Sequence, residues 1–201
     1  MRLRLINPFS QPDFVTAIAS VYQHAFGGEP WNEGWRCPVC GTAFARADEC
    51  RICTVCAPHG SRVRLVEYWP MSTVLSDFYR EMQKPDAICV IAECEERVIG
   101  FAWGYRVTAD QDLTNALDAP GLHEAISGDF FYLDECAVAP EFQGSGIGKQ
   151  LVESIFREQS LARVLLRTMN HSRMCRLMIH MGGAIIQEIS RGRVIMTMTL
   201  T

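Results

Sequence analysis

The chain has 201 residues, enough for one sizeable domain with room for an insertion. It is 48% hydrophobic and 21% charged, an ordinary globular composition, and its net charge of −4 argues against a general nucleic-acid or membrane-surface role, since both want a basic excess. No apolar run approaches the length of a membrane span and the N-terminal MRLRLINPFSQPDF lacks the apolar core of a signal peptide, so a cytoplasmic location is expected, where the nine cysteines are reduced, metal-bound or buried rather than disulfide-paired.

Residues 2–6 read as a short strand. PDFVTAIASVYQHAF follows with Phe14, Val15, Ile18, Val21, Tyr22 and Phe26 spaced for one helical face, and Gly27-Gly28 ends that helix. The texture then changes through residues 31–61, which hold five of the nine cysteines and little periodicity. SRVRLVEYW reads as a strand leaving this unit, Pro70 breaks it, and MSTVLSDFYREMQK starts a helix with Val74, Leu75, Phe78 and Met82 inward. AICVIAEC and RVIGFAWGYRV flank the turn Glu95-Glu96-Arg97 as a hairpin. Residues 108–128 are polar and acidic, a surface connection with at most a short helix. DFFYLDECAV is a strand, 149–161 a helix burying Leu151, Val152, Ile155 and Phe156, and RVLLRTM a strand. Helix 171–181 carries Met174, Leu177, Met178 and Met181 on one face and stops at Gly182-Gly183, and AIIQEI with RVIMTMTL closes the chain as a hairpin. The order predicts an α/β (α+β) domain with a mixed, mostly antiparallel sheet, antiparallel in its first half and with one parallel crossover over 130–169.

The cysteine segment gives Cys37-x2-Cys40 and Cys53-x2-Cys56, with Cys50 and His59 as extras. Two such pairs point to tetrahedral zinc, and CPVCG resembles a zinc-ribbon knuckle. CRICTVC holds overlapping pairs, so the register Cys50/Cys53 stays open beside the preferred Cys53/Cys56. A redox thiol pair is the weaker reading, because four cysteines at these spacings saturate one zinc. The Zn2+ would be structural, holding a segment too small for a core of its own.

A strand, then QGSGIGK, then a helix places free backbone N–H groups at a helix N-terminus, with Lys149 adding positive charge. That arrangement suits a phosphate or pyrophosphate; a turn with no ligand is the plainer alternative. The P-loop pattern fails, since Gln150 follows Lys149, and the dinucleotide fingerprint fails, since no acidic residue falls in RVLLRT. LDECAVAPEFQGSGIGKQLV, however, closely resembles the signature of the GNAT superfamily of N-acetyltransferases, in which an apolar strand ends in Ala-Val-x-Pro-Glu and Gln/Arg-x-x-Gly-x-Gly/Ala opens a helix. The order of elements on either side of residues 31–61 is similar too. The resemblance implies one GNAT domain over residues 1–201, with residues 31–61 a zinc-ribbon-like insertion between the first two helices.

It also implies a site. Acetyl-CoA would place its pyrophosphate on Gln143, Gly144, Ser145, Gly146, Ile147, Gly148 and Lys149, and its pantetheine arm along Cys136, Ala137 and Val138, where the family's two central parallel strands splay apart. Asn170 would contact the same arm, or simply cap its helix. Direct acetyl transfer to an amine needs a base, and Asp134 and Glu135 are the candidates, placed by strict alternation on opposite faces of their strand. The family's usual tyrosine acid is replaced by Met178, which leaves Tyr132, His171, Cys175 or solvent to protonate the thiolate. The insertion would line the acceptor side, with Trp31, Glu33 and Trp35 nearby. The expected activity is that of an acetyl-CoA-dependent N-acetyltransferase with a small-molecule or peptide amine as partner, neither a membrane nor a nucleic acid being expected and a homodimer left open. A zinc-ribbon binding module and a non-catalytic acyl-CoA sensor are the competing readings.

Overall fold

The first strand, β1 (Arg2–Ile6), leads into helix α1 (Pro12–Phe26), which begins on a proline and buries Val15, Ile18, Val21, Tyr22 and Phe26 at the expected spacing. The structure is a computed structural model and describes residues 1–47, 51–60 and 62–200. Between α1 and helix α2 (Met71–Glu81) lie three two-residue strands, β2 (Trp35–Arg36), β3 (Ala43–Phe44) and β4 (Val66–Glu67), which pair antiparallel in the order β3-β2-β4. The strand expected over 61–69 is, among the described residues, confined to Val66–Glu67, and it belongs to this small sheet.

The hairpin of β5 (Ile88–Cys94) and β6 (Arg97–Thr108) turns at Glu95 and Glu96, both at positive φ, as a two-residue turn between right-twisted strands requires. Two short helices, α3 (Gln111–Ala116) and α4 (Leu122–Ala125), fill the connection expected to hold at most one. They fold because Leu117, Ala119 and Leu122 bury against Tyr105, Phe130 and Tyr132. Strand β7 (Asp129–Val138), helix α5 (Ile147–Glu158) and strand β8 (Arg163–Met169) make the parallel unit, and helix α6 (Arg173–His180) and the hairpin β9 (Ala184–Ile189) and β10 (Arg193–Thr199) follow.

The main sheet has seven strands in the order β1-β5-β6-β7-β8-β10-β9, antiparallel except for β7 and β8. One face carries α1 and α2 over Ile91, Phe101 and Trp103; the other carries α5 and α6 over Val90, Leu133 and Leu166. No helix is long and apolar enough to cross a membrane among the described residues.

Two helix starts differ from expectation, and the helix expected to run to residue 161 ends at Glu158. α5 starts at Ile147, because Gly146 takes a left-handed φ of 84° that only glycine adopts cheaply and so serves as the cap. α6 starts at Arg173, because the Ser172 hydroxyl accepts from the Cys175 amide.

Candidate active site

The parallel strands β7 and β8 pair at only two positions, Phe131 with Val164 and Tyr132 with Leu165. Beyond them the strands diverge, and Leu133 to Val138 have no partner on the β8 side. The cleft so opened has a volume of about 560 Å³. At one end it meets the glycine loop. There the amides of Gly144 through Lys149 find no protein acceptor among the described residues, and the first helical bond is Gln150 N–H to Gly146 O at 3.2 Å. Unpaired amides at a helix N-terminus are a ready anion cradle. Gln143 Nε2 ties the loop back to Val138 O at 3.0 Å, and the Ser145 hydroxyl donates to Phe142 O at 2.5 Å.

Cys136, Ala137, Val138, Gln143, Gly144, Gly146, Gly148 and Lys149 line this cleft as expected. Ile147 does not, because its side chain is buried in the core beneath α5. Ser145 and Asn170 are also outside the lining. Asn170 is not the helix cap; its Oδ1 meets His171 Nδ1 at 2.9 Å and its amide donates to Gly192 O. Arg173, which no motif marked, reaches the loop: its Nη1 is 3.5 Å from where a Cβ on Gly144 would sit.

At mid-cleft the strand departs from alternation. Trp103 on β6 faces Glu135 and Gly104 faces Leu133, so Asp134 is the extra residue of a β-bulge. The bulge reverses the facing of everything after it. Leu133 packs under α5, whereas Ala137, four residues on, packs under α1. Asp134 and Glu135, expected on opposite faces, therefore both turn to the α1 side. A Cβ on Gly104 would lie 2.4 Å from Tyr132 O, so only glycine allows β6 to approach the bulge this closely.

The two carboxylates are held by aromatic donors from the α1 face. The Tyr22 hydroxyl donates to Glu135 Oε1 at 3.2 Å, and Trp103 Nε1 donates to Asp134 Oδ2 at 3.0 Å. The Tyr22 and Trp103 rings stack at 6.1 Å. Burial, and then the charge of Asp134, hold the Glu135 carboxyl well above the usual range, with the Tyr22 bond opposing. Burial also pushes Asp134 up to about 6, against the Trp103 bond. Such groups can take a proton near neutral pH. Tyr132 lines the floor, and burial pushes its phenol up, so it stays protonated. Met178 and Cys175 are core residues and His171 is exposed.

The far end of the cleft is built by the chain around the small sheet. Trp31, Glu33, Tyr68 and Trp69 line it, with Arg167 from β8 and Arg193 from β10. Trp69 Nε1 donates to Glu33 Oε2 at 2.9 Å, and Arg193 pairs with Glu33 Oε1 at 3.4 Å. Trp35, expected nearby, instead packs with Cys37, Cys53, Cys56 and Leu65.

In that small core the Sγ atoms of Cys37, Cys40, Cys53 and Cys56 all lie within 4.8 Å of one another, with 3.8 Å from Cys37 to Cys56 and 3.6 Å from Cys40 to Cys53. Tetrahedral Zn–S bonds of about 2.3 Å put sulfur atoms roughly 3.8 Å apart, so the four thiols fit zinc. Amides of Val39 and Cys40 donate to Cys37 Sγ, and that of Cys56 to Cys53 Sγ, as ligating thiolates need. His59 stands apart on an exposed turn; Cys50 lies outside the described residues.

A mixed sheet with splayed parallel strands and a loop of unpaired amides between them is the scaffold that these elements build. The family model of the acetyltransferase (GNAT) family matches residues 55–181, and the chain belongs to that family. Its fold is similar to aminoglycoside 6'-acetyltransferase type Ii, at 12% identity and TM-score 0.58, covering 100% of this chain and 98% of that one. It is similar also to the ribosomal-protein-S18-alanine N-acetyltransferase of Escherichia coli, at 12% identity and TM-score 0.52, over 100% and 94% of the two chains. A third likeness is to the PaiA N-acetyltransferase of Thermoplasma acidophilum in complex with coenzyme A, at 10% identity and TM-score 0.52, over 99% of both. No curated protein matches the chain.

Proposed function

We propose that the protein transfers an acetyl group from acetyl-CoA directly to a primary amine. The unpaired amides of Gly144–Lys149, continuous with the unpaired edge of β7 and ending at two half-buried carboxylates, carry this reading. The loop takes the pyrophosphate, with Lys149 and Arg173 at its mouth, and the backbone of Cys136–Val138 pairs with the pantetheine arm as a strand would. Glu135, directly or through a water, accepts the proton of the ammonium. The amine nitrogen then bonds to the thioester carbonyl carbon, and collapse of the tetrahedral intermediate breaks the C–S bond. Tyr132 donates to the leaving thiolate; the exposed His171 and the core thiol of Cys175 are less suited.

The whole chain is one domain in this reading, and residues 31–61 are a zinc-ribbon-like insertion. Cys37, Cys40, Cys53 and Cys56 would hold the zinc, which with no open ligand position supplies structure and no chemistry. The melting temperature with and without acetyl-CoA tests the reading. Ligand at ~100 times its dissociation constant stabilises by about 2.7 kcal/mol, a shift of roughly 5–10 °C at this size. The shift should vanish in Gly146→Trp, and its absence in the unmodified protein would overturn the reading. A shift without turnover on any amine would favour an acyl-CoA sensor instead.

A further inference from the structure

Arg167 is the cation lining the acceptor end that forms no ion pair among the described residues, although its charge is felt by Glu33, Asp134 and Glu135. Its register partner on β10 is Ile195, and like Leu165 two residues earlier it faces the α1 side of the sheet, beside Asp134 and Glu135 across the splay. Its Nη1 donates to the carbonyl oxygen of Leu117 at 3.3 Å, and it forms no ion pair among the described residues. The other cations of the cleft are accounted for. Arg193 pairs with Glu33, Lys149 with Glu153, and Arg173 stands at the anion loop. A guanidinium is always charged and presents flat, paired donors that match a carboxylate.

We propose that Arg167 receives a carboxylate of the acceptor, so that the acceptor is an amino acid: a primary amine and a carboxylate on one small molecule. The inference rests on the N-acetyltransferase reading of the cleft. Glu135 and Arg167 lie on neighbouring strands where they begin to part, roughly one strand spacing of about 5 Å or somewhat more. The ammonium and carboxylate of an α-amino acid span such a gap, the ammonium at Glu135 and the carboxylate at Arg167. Trp31, Tyr68 and Trp69 leave the side chain an apolar, aromatic wall. A polyamine is disfavoured, because its distal ammonium groups would meet the guanidinium of Arg167 and that of Arg193. A phosphorylated acceptor is disfavoured too, because a doubly charged group would face Glu33, Asp134 and Glu135.

The test compares amino acids with their decarboxylated amines, phenylalanine with phenethylamine, tryptophan with tryptamine and leucine with isoamylamine. Release of free CoA thiol is the readout, on the zinc-loaded protein. At least one amino acid should exceed its amine in kcat/KM by about 10- to 100-fold, the usual worth of a charge-assisted pair. In Arg167→Met that ratio should collapse toward one, and Arg167→Lys should keep part of it. Both variants should retain the melting shift with acetyl-CoA, which shows that they fold and bind the donor. Amines used as well as amino acids, or a variant that lowers both equally, would overturn the proposal; the second result would make Arg167 a support for the Glu135 charge. A melting shift with acetyl-CoA but no turnover of any amino acid overturns it as well and leaves the donor site standing. Absence of the shift instead removes the N-acetyltransferase reading on which it rests.

Discussion

Removing one oxygen, in Tyr22→Phe, isolates what holds the Glu135 charge. The ring is locked between neighbours, 5.6 Å from Trp69 and 6.1 Å from Trp103, and phenylalanine keeps that packing. What is lost is the hydroxyl that donates to Glu135 Oε1 at 3.2 Å. A hydrogen bond to a charged group contributes about 1.5–3 kcal/mol, and 3.2 Å is long for an O–H donor, so the lower end applies. At about 1.4 kcal/mol per tenfold, the Glu135 pKa should rise by roughly one unit. As the proposed base, Glu135 would act when ionised, so kcat/KM should rise with pH through that pKa, and the acid limb of the profile should move up by the same amount. Asp134→Asn should do the reverse, since the neighbouring negative charge raises the Glu135 pKa. For carboxylates ~6 Å apart at an effective dielectric of about 20 that repulsion is about 3 kcal/mol, so the limb falls by up to roughly two units. The assay is kcat/KM against pH with an acceptor whose own amine pKa is known. A limb that stays in place in both variants, or moves the same way in both, would refute Glu135 as the base.

Glu135→Gln should lower turnover by about 10²–10⁴ yet stabilise the fold at pH 8. Burial raises the folded-state pKa, so the stability tied to the neutral carboxyl is full below the ordinary carboxylate pKa and is lost as pH rises through the folded value. The melting gain over the natural protein should therefore be largest at pH 8 and shrink toward pH 5; a gain that grows toward pH 5 would contradict this. Cys53→Ser, or chelation, should raise the acceptor KM by ~10-fold or more while the acetyl-CoA melting shift remains, and equal damage to both would argue against a role for the small sheet in acceptor binding. Gly104→Ala puts a Cβ 2.4 Å from Tyr132 O and should lower the melting temperature by roughly 5 °C or more. An unchanged melting curve there would mean that the bulge relaxes freely.

Local signals carried much of the fold. α1 is legible to the residue because its apolar spacing, its opening proline and its closing glycine agree. The cysteine pairs were legible because metal ligands must recur at fixed spacings. The β-bulge was not, because nothing in FYLDEC marks Asp134 as extra. The bulge follows from Gly104, thirty residues earlier, which lets β6 press against the backbone of Tyr132. Alternation read along one strand cannot see its neighbour, so it put the two carboxylates on opposite faces. Tyr22, Trp69, Arg167, Arg173 and Arg193 escaped notice for the same reason. Each looks like an ordinary helix, loop or strand residue until the sheet brings its element to the cleft.

The two ends of the cleft rest on different foundations. The anion loop is carried by the seven-stranded sheet and α5, whose core of Leu151, Val152, Ile155 and their neighbours needs nothing from outside. The end proposed for the acceptor depends on Glu33 and Trp69, which come together because Gly34 O accepts from the Tyr68 amide at 3.2 Å and Trp35 pairs with Glu67. That small sheet has a core of Trp35, Leu65 and the cysteines, with Phe44 and Val63 at its edge, too little apolar surface to fold unaided. The four thiols that fit zinc sit inside it, so the free energy of metal binding would be folding free energy for the small sheet and, through Glu33 and Trp69, for the acceptor wall. On the proposed reading the acetyl donor and acceptor sites need not share their stability, and a protein stripped of zinc would still bind its donor while losing the wall that presents the amine.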